Sequence, residues 1–360
     1  MFTALGAFAA GLLAFANGAN DNSKPVATLV AAGLASPRRA LILGTVATFV
    51  GCALATFAGG ALVGTFSAKG LVGTEVAATL PFAVSTTLAA GATVLLASRM
   101  GLPISTTHAL IGAILGSGFV LAQINGRILL GVFLLPLLAS PLVALVATSV
   151  VYPVVHRARR ALGIERSTCV CVGERWVPAR DMAALQWQVS VSDEAHCQDR
   201  YVGRVVGARA ETVAAAFHWL SALGLSVGRG MQDGAKIAAL ALLLVGAPAG
   251  LVIGTGVAFV MAAGGLLAAR RVEQTMAHRI TTMNDGQALV ANGVATTLVF
   301  VATSLGLPVS TTHVTTGSLV GLRRFTTATT TSWLGRILLA WAATLPLAAA
   351  LAAGTAALLR

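Results

Sequence analysis

The sequence predicts an all-α integral membrane protein made of two inverted repeats with broken or re-entrant helices, about 10–12 transmembrane helices in total. Three observations support this fold class. Apolar residues make up 56% of the chain and charged residues only 10%, against roughly 25% charged residues in a soluble domain. Long uncharged segments alternate with short basic clusters, and two polar motifs each occur twice, at matching places in the two halves.

Several uncharged segments are long enough to cross about 30 Å of hydrocarbon. A soluble core helix rarely stays apolar on every face over such a length. The longest segments could hold two crossings each, so we expect about ten crossing units, five before and five after a central polar stretch. The segments are Ala40–Ala68, Val76–Ser98, Gly131–Val150, Ile237–Ala269, Gln287–Leu322 and Leu338–Leu359.

The net charge of +12 comes from short basic clusters between the spans, and this distribution argues against nucleic acid as a partner. Placing the N-terminus outside puts most of these clusters on the cytoplasmic side, with Lys69, Arg127 and Arg360 as exceptions. Residues 2–16 follow no basic region and are predicted to be the first span, not a signal peptide. We therefore expect a bacterial inner-membrane protein with the N-terminus outside.

The spans divide the chain into a first membrane repeat (1–151), a polar linker (152–209) and a second membrane repeat (210–360). Five crossings are an odd number, so the second repeat enters the membrane from the opposite face. The two repeats are then inverted copies, an arrangement in which a substrate site forms at the repeat interface.

The central linker is predicted to be cytoplasmic. Trp176 and Trp187, with alternating apolar residues around Trp187, indicate that part of it folds or lies on the bilayer surface. Four residues could supply soft ligands for zinc, but their spacing is not that of a standard zinc finger, and a cytosolic linker with reduced thiols is the simpler interpretation. The four residues are Cys169, Cys171, His196 and Cys197.

One repeated motif is Leu-Pro-Ile/Val-Ser-Thr-Thr-His, at Leu102–His108 and again at Leu307–His313. Pro103 and Pro308 each follow a Gly-Leu pair, which indicates that one helix ends and another begins there. The hydroxyls then lie at a helix N-terminus, where free N–H groups and the helix dipole favour an oxyanion. The alternative is that these hydroxyls only cap helices and join them within the bundle.

The other repeated motif runs from Asn17 to Lys24 and from Gly228 to Lys236, and in each copy an amide-Asp pair precedes a lysine by three residues. Only three lysines occur in the chain, and Lys24 and Lys236 are two of them. Paired charges at membrane depth are costly and usually functional. The simpler alternative is that each lysine only neutralises its own aspartate. Glycines beside the charges predict a broken helix in both copies.

Together these motifs predict a transport site rather than an enzyme. His108 and His313 lie close to serines, but no nucleophile and base with an orienting acid can be identified. No nucleotide-binding loop is present in the sequence, which disfavours ATP-driven transport. A channel is a further alternative, and accumulation of solute against a gradient would distinguish a carrier from a channel.

The motif set resembles the inorganic phosphate transporter (PiT) family, the bacterial low-affinity phosphate permeases. The resemblance rests on Gly18–Asp21, on both Pro-Ile/Val-Ser-Thr-Thr-His segments and on the Gly-x-x-Asp-Gly-x-Lys segment of the second half, and it covers both membrane halves. It implies an inverted-repeat helical fold, symport of phosphate with H⁺ or Na⁺, a homodimer, and no cofactor besides the coupling ion.

The resemblance also implies which residues form the site. The predicted substrate-binding residues are Asn20, Asp21, Lys24, Ser105, Thr106, Thr107, Gln232, Asp233, Lys236, Ser310, Thr311 and Thr312. Among them Asn20, Asp21, Gln232 and Asp233 are possible ligands of a coupling cation, and no other metal site is predicted. The chain departs from the family pattern where Gln232 replaces Asn, where Asn292 replaces an acidic residue, and in carrying both lysines.

The two aspartates favour phosphate over sulfate as the predicted substrate. Hydrogen phosphate can donate a hydrogen bond to a carboxylate, whereas sulfate cannot. The two lysines weaken this preference because an ammonium group attracts either dianion. A sulfate permease of the same fold is therefore the alternative prediction.

Overall fold

The computed structural model describes residues 2–58, 60–67, 70–179, 182–193, 196, 202–245, 250–279, 283–325 and 331–360. The chain is mostly helical, and a small sheet interrupts the helices near the middle. The helices before the sheet are α1 (Phe2–Asp21), α2 (Ala27–Ala31), α3 (Pro37–Ala58), α4 (Gly60–Phe66), α5 (Thr74–Ala77), α6 (Leu80–Arg99), α7 (Thr106–Leu121) and α8 (Gly126–Ala161). Those after it are α9 (Ala210–Val245), α10 (Gly250–Ala268), α11 (Arg270–Arg279), α12 (Asp285–Ser304), α13 (Thr311–Gly321) and α14 (Thr331–Leu359).

The two halves repeat the same order of long helices. Helix α3 corresponds in sequence position to α10, α6 to α12, α7 to α13, and α8 to α14. Six of these helices are long and apolar enough to cross a membrane: α3, α6, α8, α10, α12 and most of α14. The fold-class prediction of a helical membrane protein is confirmed. The larger count of about ten crossings would add α1, α9 and the shorter α7 and α13, and it stays a prediction, as does the inverted orientation of the halves.

The halves are interleaved, because each packs its own helices on those of the other. Helix α7 packs on α14, and the corresponding α13 packs on α8. A Cβ at Gly112 in α7 would overlap the carbonyl oxygen of Leu345, and a Cβ at Gly317 in α13 would overlap that of Pro141. Glycines of this kind let membrane helices approach closely. The contacts between the halves therefore occur in matched pairs.

The helices that carry the acidic motifs form a matched pair of contacts as well. Helix α1 packs on α10, while α9 packs on α3. A Cβ at Gly18 would overlap the carbonyl oxygen of Met261, and a Cβ at Gly230 would overlap that of Thr48. These glycines are therefore required by close helix packing, and both acidic motifs are buried.

One predicted helix break is present and the other is absent. Helix α1 ends at Asp21, and turns lead from there to α2. Helix α9 continues without interruption through Gly228–Lys236, so the prediction of a break in the second copy is wrong. Gly230 and Gly234 face Thr48 and Cys52 of α3 instead of opening the helix, and the physical reason is packing, not unwinding.

The central segment contains an antiparallel sheet, which an all-helical description of the chain does not include. Strands β1 (Thr168–Ala179), β2 (Met182–Asp193) and β3 (Val202–Arg209) lie in the order β2-β1-β3. The expectation that part of this segment folds is confirmed. Trp187 lies on an exposed face of β2 with Val189 and Val191, which follows from the period-two alternation of a strand. Helix α8 ends at Ala161, the sheet follows, and α9 begins at Ala210; the three-part division of the chain stays a prediction.

Two of the cysteines considered above as metal ligands lie in β1, and they differ in state. Cys169 is a free, buried thiol, whereas Cys171 is disulfide-bonded and cannot serve as a thiolate ligand. The expectation of reduced thiols is therefore wrong for Cys171. No group of three potential ligands occurs among the residues that the structure describes, and Cys197 lies outside them.

Candidate functional site

The two Ser-Thr-Thr segments begin helices α7 and α13 in nearly identical geometry. Ser105 caps α7 with φ −97° and ψ 115°, and Ser310 caps α13 with φ −96° and ψ 116°. Each serine hydroxyl accepts a hydrogen bond from the N–H of the histidine three residues later. Gly101 and Gly306, with φ of +68° and +66°, end the preceding helices in the left-handed conformation that favours glycine. The predicted helix starts at both motifs are confirmed.

Asp21 is the first carboxylate of the site and is almost completely buried. One of its oxygens accepts hydrogen bonds from the Thr106 hydroxyl at 2.7 Å and the Asn17 amide at 2.9 Å. The other accepts from the Lys24 ammonium and, at 3.4 Å, from the Thr312 hydroxyl. Asp21 therefore joins both Ser-Thr-Thr segments to the end of α1.

Asp233 is the second carboxylate, and it lies within α9 instead of at a helix end. Its Oδ2 atom accepts from the Asn17 amide at 3.1 Å and lies 3.4 Å from the Arg229 Nε atom. Its Oδ1 atom lies 3.4 Å from the Lys236 ammonium. Because the Asn17 amide donates to both aspartates, the two carboxylates share one hydrogen-bond network.

The two lysines make reciprocal contacts between the halves. The Lys24 ammonium donates to the Thr312 hydroxyl and to the Ile104 carbonyl, each at 2.6 Å. The Lys236 ammonium donates to the Thr107 hydroxyl and to the Val309 carbonyl, each at 2.9 Å. Each lysine thus contacts a hydroxyl from the other half and a carbonyl from its own half.

Asn20 and Gln232 are directed at the loops before α7 and α13 rather than at the carboxylates. The Asn20 amide donates to the Ser98 hydroxyl and the Leu102 carbonyl, each at 3.0 Å, and accepts from the Ile104 N–H at 3.2 Å. Gln232 donates to the corresponding Leu307 carbonyl at 3.3 Å. In this structure both residues position the proline-containing loops, which is a different contact from the predicted one with substrate.

Most of the predicted residues are brought to one buried place. Side chains of both aspartates, both lysines and three threonines form two contacting groups, which the Asn17 amide joins. The groups are Asp21, Lys24, Thr106 and Thr312, and Asp233, Lys236 and Thr107. Thr311 is buried at the first position of α13, and the two serines cap the helices. Asn292 lies elsewhere, where its amide donates to the Thr28 hydroxyl at 2.8 Å.

Arg229 belongs to this cluster, although the predicted site omits it. Its guanidinium is buried and donates to the side-chain oxygens of Asn17, Asn22 and Thr48. It stands four residues before Asp233, as Asn17 stands four residues before Asp21. That position, and the presence of an arginine in a mostly apolar helix, could have identified it, because intramembrane charges are usually functional. With Arg229 the cluster holds three cations and two carboxylates, a formal surplus of one positive charge.

The two motif histidines pack against each other instead of forming a catalytic pair. The ring centroids of His108 and His313 are 4.5 Å apart, and the His313 ring lies 3.9 Å from that of Trp341. The Trp341 indole donates to the Pro103 carbonyl at 3.1 Å. The described contacts of these rings are therefore packing contacts between the two motifs and α14.

A family model described as the phosphate transporter family matches residues 17–352 of the chain. That range contains both acidic motifs and both Ser-Thr-Thr segments. The chain belongs to the phosphate transporter family. Its family and fold are those of a transporter, not an enzyme, so this prediction is confirmed, and so is the resemblance to the family.

Other family members are similar along nearly all of this chain. Proteins of Mycobacterium bovis and of Mycobacterium tuberculosis, each named as a probable low-affinity inorganic phosphate transporter, are 27% identical to it. Each match covers 95% of this chain and 73% of the relative. Among solved structures, one titled "The sodium-dependent phosphate transporter" superposes with a TM-score of 0.77 over 99% of this chain and 98% of the other, at 20% identity. That likeness shows the fold.

Proposed function

We propose that this chain is a symporter that imports inorganic phosphate across the cytoplasmic membrane, coupled to H⁺ or Na⁺. The names of its relatives support phosphate as the substrate. The observation that carries the proposal is the buried cluster between the two halves, in which threonine hydroxyls and three cations surround two carboxylates.

This cluster has the groups that a tetrahedral oxyanion requires. Thr106, Thr107 and Thr312 can donate to phosphate oxygens, and the N-termini of α7 and α13 both reach the cluster, where their dipoles favour an anion. In the present structure these groups bind one another. Phosphate would replace those contacts, so the halves must move apart for it to enter.

The carboxylates favour phosphate, and the surplus cation favours any dianion. A protonated phosphate oxygen can donate to Asp21 or Asp233, a contact that sulfate cannot make. Arg229 adds a third cation to the cluster, and cations attract sulfate and phosphate alike. Sulfate therefore remains the second candidate substrate, and it is the competitor to use in the uptake experiment.

The test is uptake of radiolabelled phosphate into proteoliposomes that contain the purified protein. We expect accumulation driven by an imposed pH or Na⁺ gradient, with excess unlabelled phosphate competing far better than excess sulfate. Sulfate competing as well as phosphate would defeat the phosphate assignment. Equilibration without accumulation would indicate a channel.

Orientation in the membrane can be tested with two exposed positions. Gln123 lies between α7 and α8, on the predicted outer side, and Gln186 lies in β2, on the predicted cytoplasmic side. In intact cells an impermeant thiol reagent should label Gln123→Cys and spare Gln186→Cys until the cells are permeabilised. The reverse pattern would overturn the proposed topology. The homodimer also stays a prediction, which the mass of the purified complex would test.

A further inference from the structure

The oxygen atoms around each buried lysine form a set that suits a metal cation. The Lys24 ammonium is surrounded by a carboxylate oxygen of Asp21, the hydroxyl of Thr312 and the carbonyl of Ile104. Hard cations are bound in proteins by carboxylate, carbonyl and similar oxygen ligands. Here the three N–H bonds of the ammonium satisfy those three oxygens instead.

The second lysine repeats this arrangement independently. The Lys236 ammonium is surrounded by a carboxylate oxygen of Asp233 at 3.4 Å, the hydroxyl of Thr107 at 2.9 Å and the carbonyl of Val309 at 2.9 Å. Both lysines are buried, with exposed fractions of 2% and 0%. We call each set of three oxygens around a lysine ammonium an oxygen cage. Two matched cages, each filled by the ammonium of a buried lysine, differ from ordinary surface ion pairs.

A filled cage cannot accept a second cation. A Na⁺ ion in either cage would lie against an ammonium of the same sign, in a buried place where repulsion is poorly screened. The same ammonium also supplies the positive charge that the aspartate needs, so no mobile cation is required to neutralise it.

We propose that Lys24 and Lys236 act as built-in cations in the place of Na⁺, so that phosphate transport by this chain does not require Na⁺. The inference rests on the proposed function, and of the two coupling ions it selects H⁺. It also distinguishes this chain from the neighbour of the same fold whose title calls it sodium-dependent.

The wild-type protein provides the first test. Its phosphate uptake, driven by an imposed pH gradient, is measured in NaCl and in choline chloride of equal ionic strength. We expect equal rates in the two salts. A fall of about tenfold or more in choline, equivalent to roughly 1.4 kcal/mol, would overturn the proposal. Absence of uptake in both salts and under both gradients would instead refute the proposed function.

Thermal unfolding in detergent tests the cages without transport. The melting temperature of the wild type should be the same in the two salts. Lys24→Ala and Lys236→Ala each empty one cage, and Na⁺ should raise the melting temperature of both variants and restore their uptake, which should fall by about a hundredfold in choline. A wild type stabilised by Na⁺, or single variants indifferent to it, would contradict the proposal.

Two controls separate a filled cage from a general salt effect. Arg127→Gln removes an exposed cation at the start of α8, and its melting temperature should not respond to Na⁺. The double variant Asp233→Asn with Lys236→Ala removes the carboxylate of the emptied cage, and the Na⁺ response of Lys236→Ala should disappear. A response that persists in the double variant would show that Na⁺ binds elsewhere and would overturn the assignment of the cage.

Discussion

The two acidic motifs carry the same Asp-Lys pair on backbones of different conformation. The first motif lies at the end of α1, whereas the second lies inside the continuous helix α9. Proline clashes with the carbonyl of the residue four positions earlier. The residue four before Pro25 is Asp21, where α1 ends, and Ile237 occupies the equivalent place in the second half.

This difference shows that the side-chain contacts, and not the backbone, are what the repeat preserves. Lys24 reaches Asp21 from a turn, and Lys236 reaches Asp233 from the next turn of one helix, yet both lysines bind a threonine of the opposite half. The halves also differ where Asn17 corresponds to Arg229, so the charge of the site is asymmetric. The following predictions test this comparison, from the largest expected effect to the smallest.

Replacing Arg229 should have the largest effect. Arg229→Met removes hydrogen bonds to Asn17 and Asn22 and leaves Asp233 with less positive charge beside it. Breaking a buried charge pair costs about 3–5 kcal/mol, so we expect that loss in the free energy of unfolding in detergent, together with loss of phosphate uptake. The counterpart Asn17→Ala removes four hydrogen bonds of the same network but leaves every charge in place, so the two variants compare lost charge with lost hydrogen bonding. An Arg229→Met protein as stable and active as the wild type would show that the asymmetry is incidental.

Introducing proline into the second motif should break α9. In Ile237→Pro the ring meets the carbonyl of Asp233, and the helix loses about 3 kcal/mol or more. We expect reduced helical circular dichroism and a lower free energy of unfolding. The control Ile237→Val keeps the helix and should cost only about 0.5–1.5 kcal/mol. Equal stability of the two variants would contradict the continuous helix.

The close packing of α9 on α3 predicts a smaller cost. A Cβ at Gly230 would overlap the carbonyl oxygen of Thr48, and overpacking typically costs about 1–3 kcal/mol. The matched control is Gly224→Ala in the same helix, where the Cβ would meet only the Thr296 methyl at 3.4 Å. Thermal unfolding should show a loss for Gly230→Ala and none for Gly224→Ala. The same response in both would mean that Gly230 has no packing role.

Removing the first-half proline should have the smallest effect. In Pro25→Ala the clash with the Asp21 carbonyl disappears, and the unfolded chain gains freedom worth about 0.4–1 kcal/mol. We expect that modest decrease in the free energy of unfolding in detergent. A loss as large as that of Ile237→Pro would show that the turn itself, and not the ion pair, holds the site together.

Much of the site could be predicted from the sequence because its residues occur in duplicate. The repeated Gly-Leu-Pro segments correctly predicted that one helix ends and another begins at each motif, and the structure places the starts of α7 and α13 at Thr106 and Thr311. The recurrence of Asp and Lys at one spacing indicated two charge pairs, and each lysine does contact the aspartate three residues before it. Both features depend on local chemistry, namely helix capping and charge pairing, which short motifs contain.

What could not be predicted depends on contacts between distant parts of the chain. Glycines that open a helix and glycines that admit a neighbouring helix look alike in sequence, so the continuity of α9 was missed. The hydrogen bonds of Asn20 and Gln232 to the backbone at Leu102 and Leu307 were not predicted either, because nothing local in the sequence shows them; the role of these two residues in substrate binding stays a prediction. The sheet was missed as well, since the alternation around Trp187 is equally compatible with a bilayer surface.

The central claim is that phosphate binds between the halves, at the threonine hydroxyls that accept hydrogen bonds from Lys24 and Lys236 in this structure. The most direct measurement is equilibrium binding of radiolabelled phosphate to purified wild type and to the double variant Thr107→Val with Thr312→Val. Hydrogen bonds to a charged ligand contribute about 1.5–3 kcal/mol each, so the dissociation constant should rise by about a hundredfold or more. The control Thr297→Val, at an exposed threonine of α12, should bind as the wild type does. Unchanged affinity in the double variant would contradict the account.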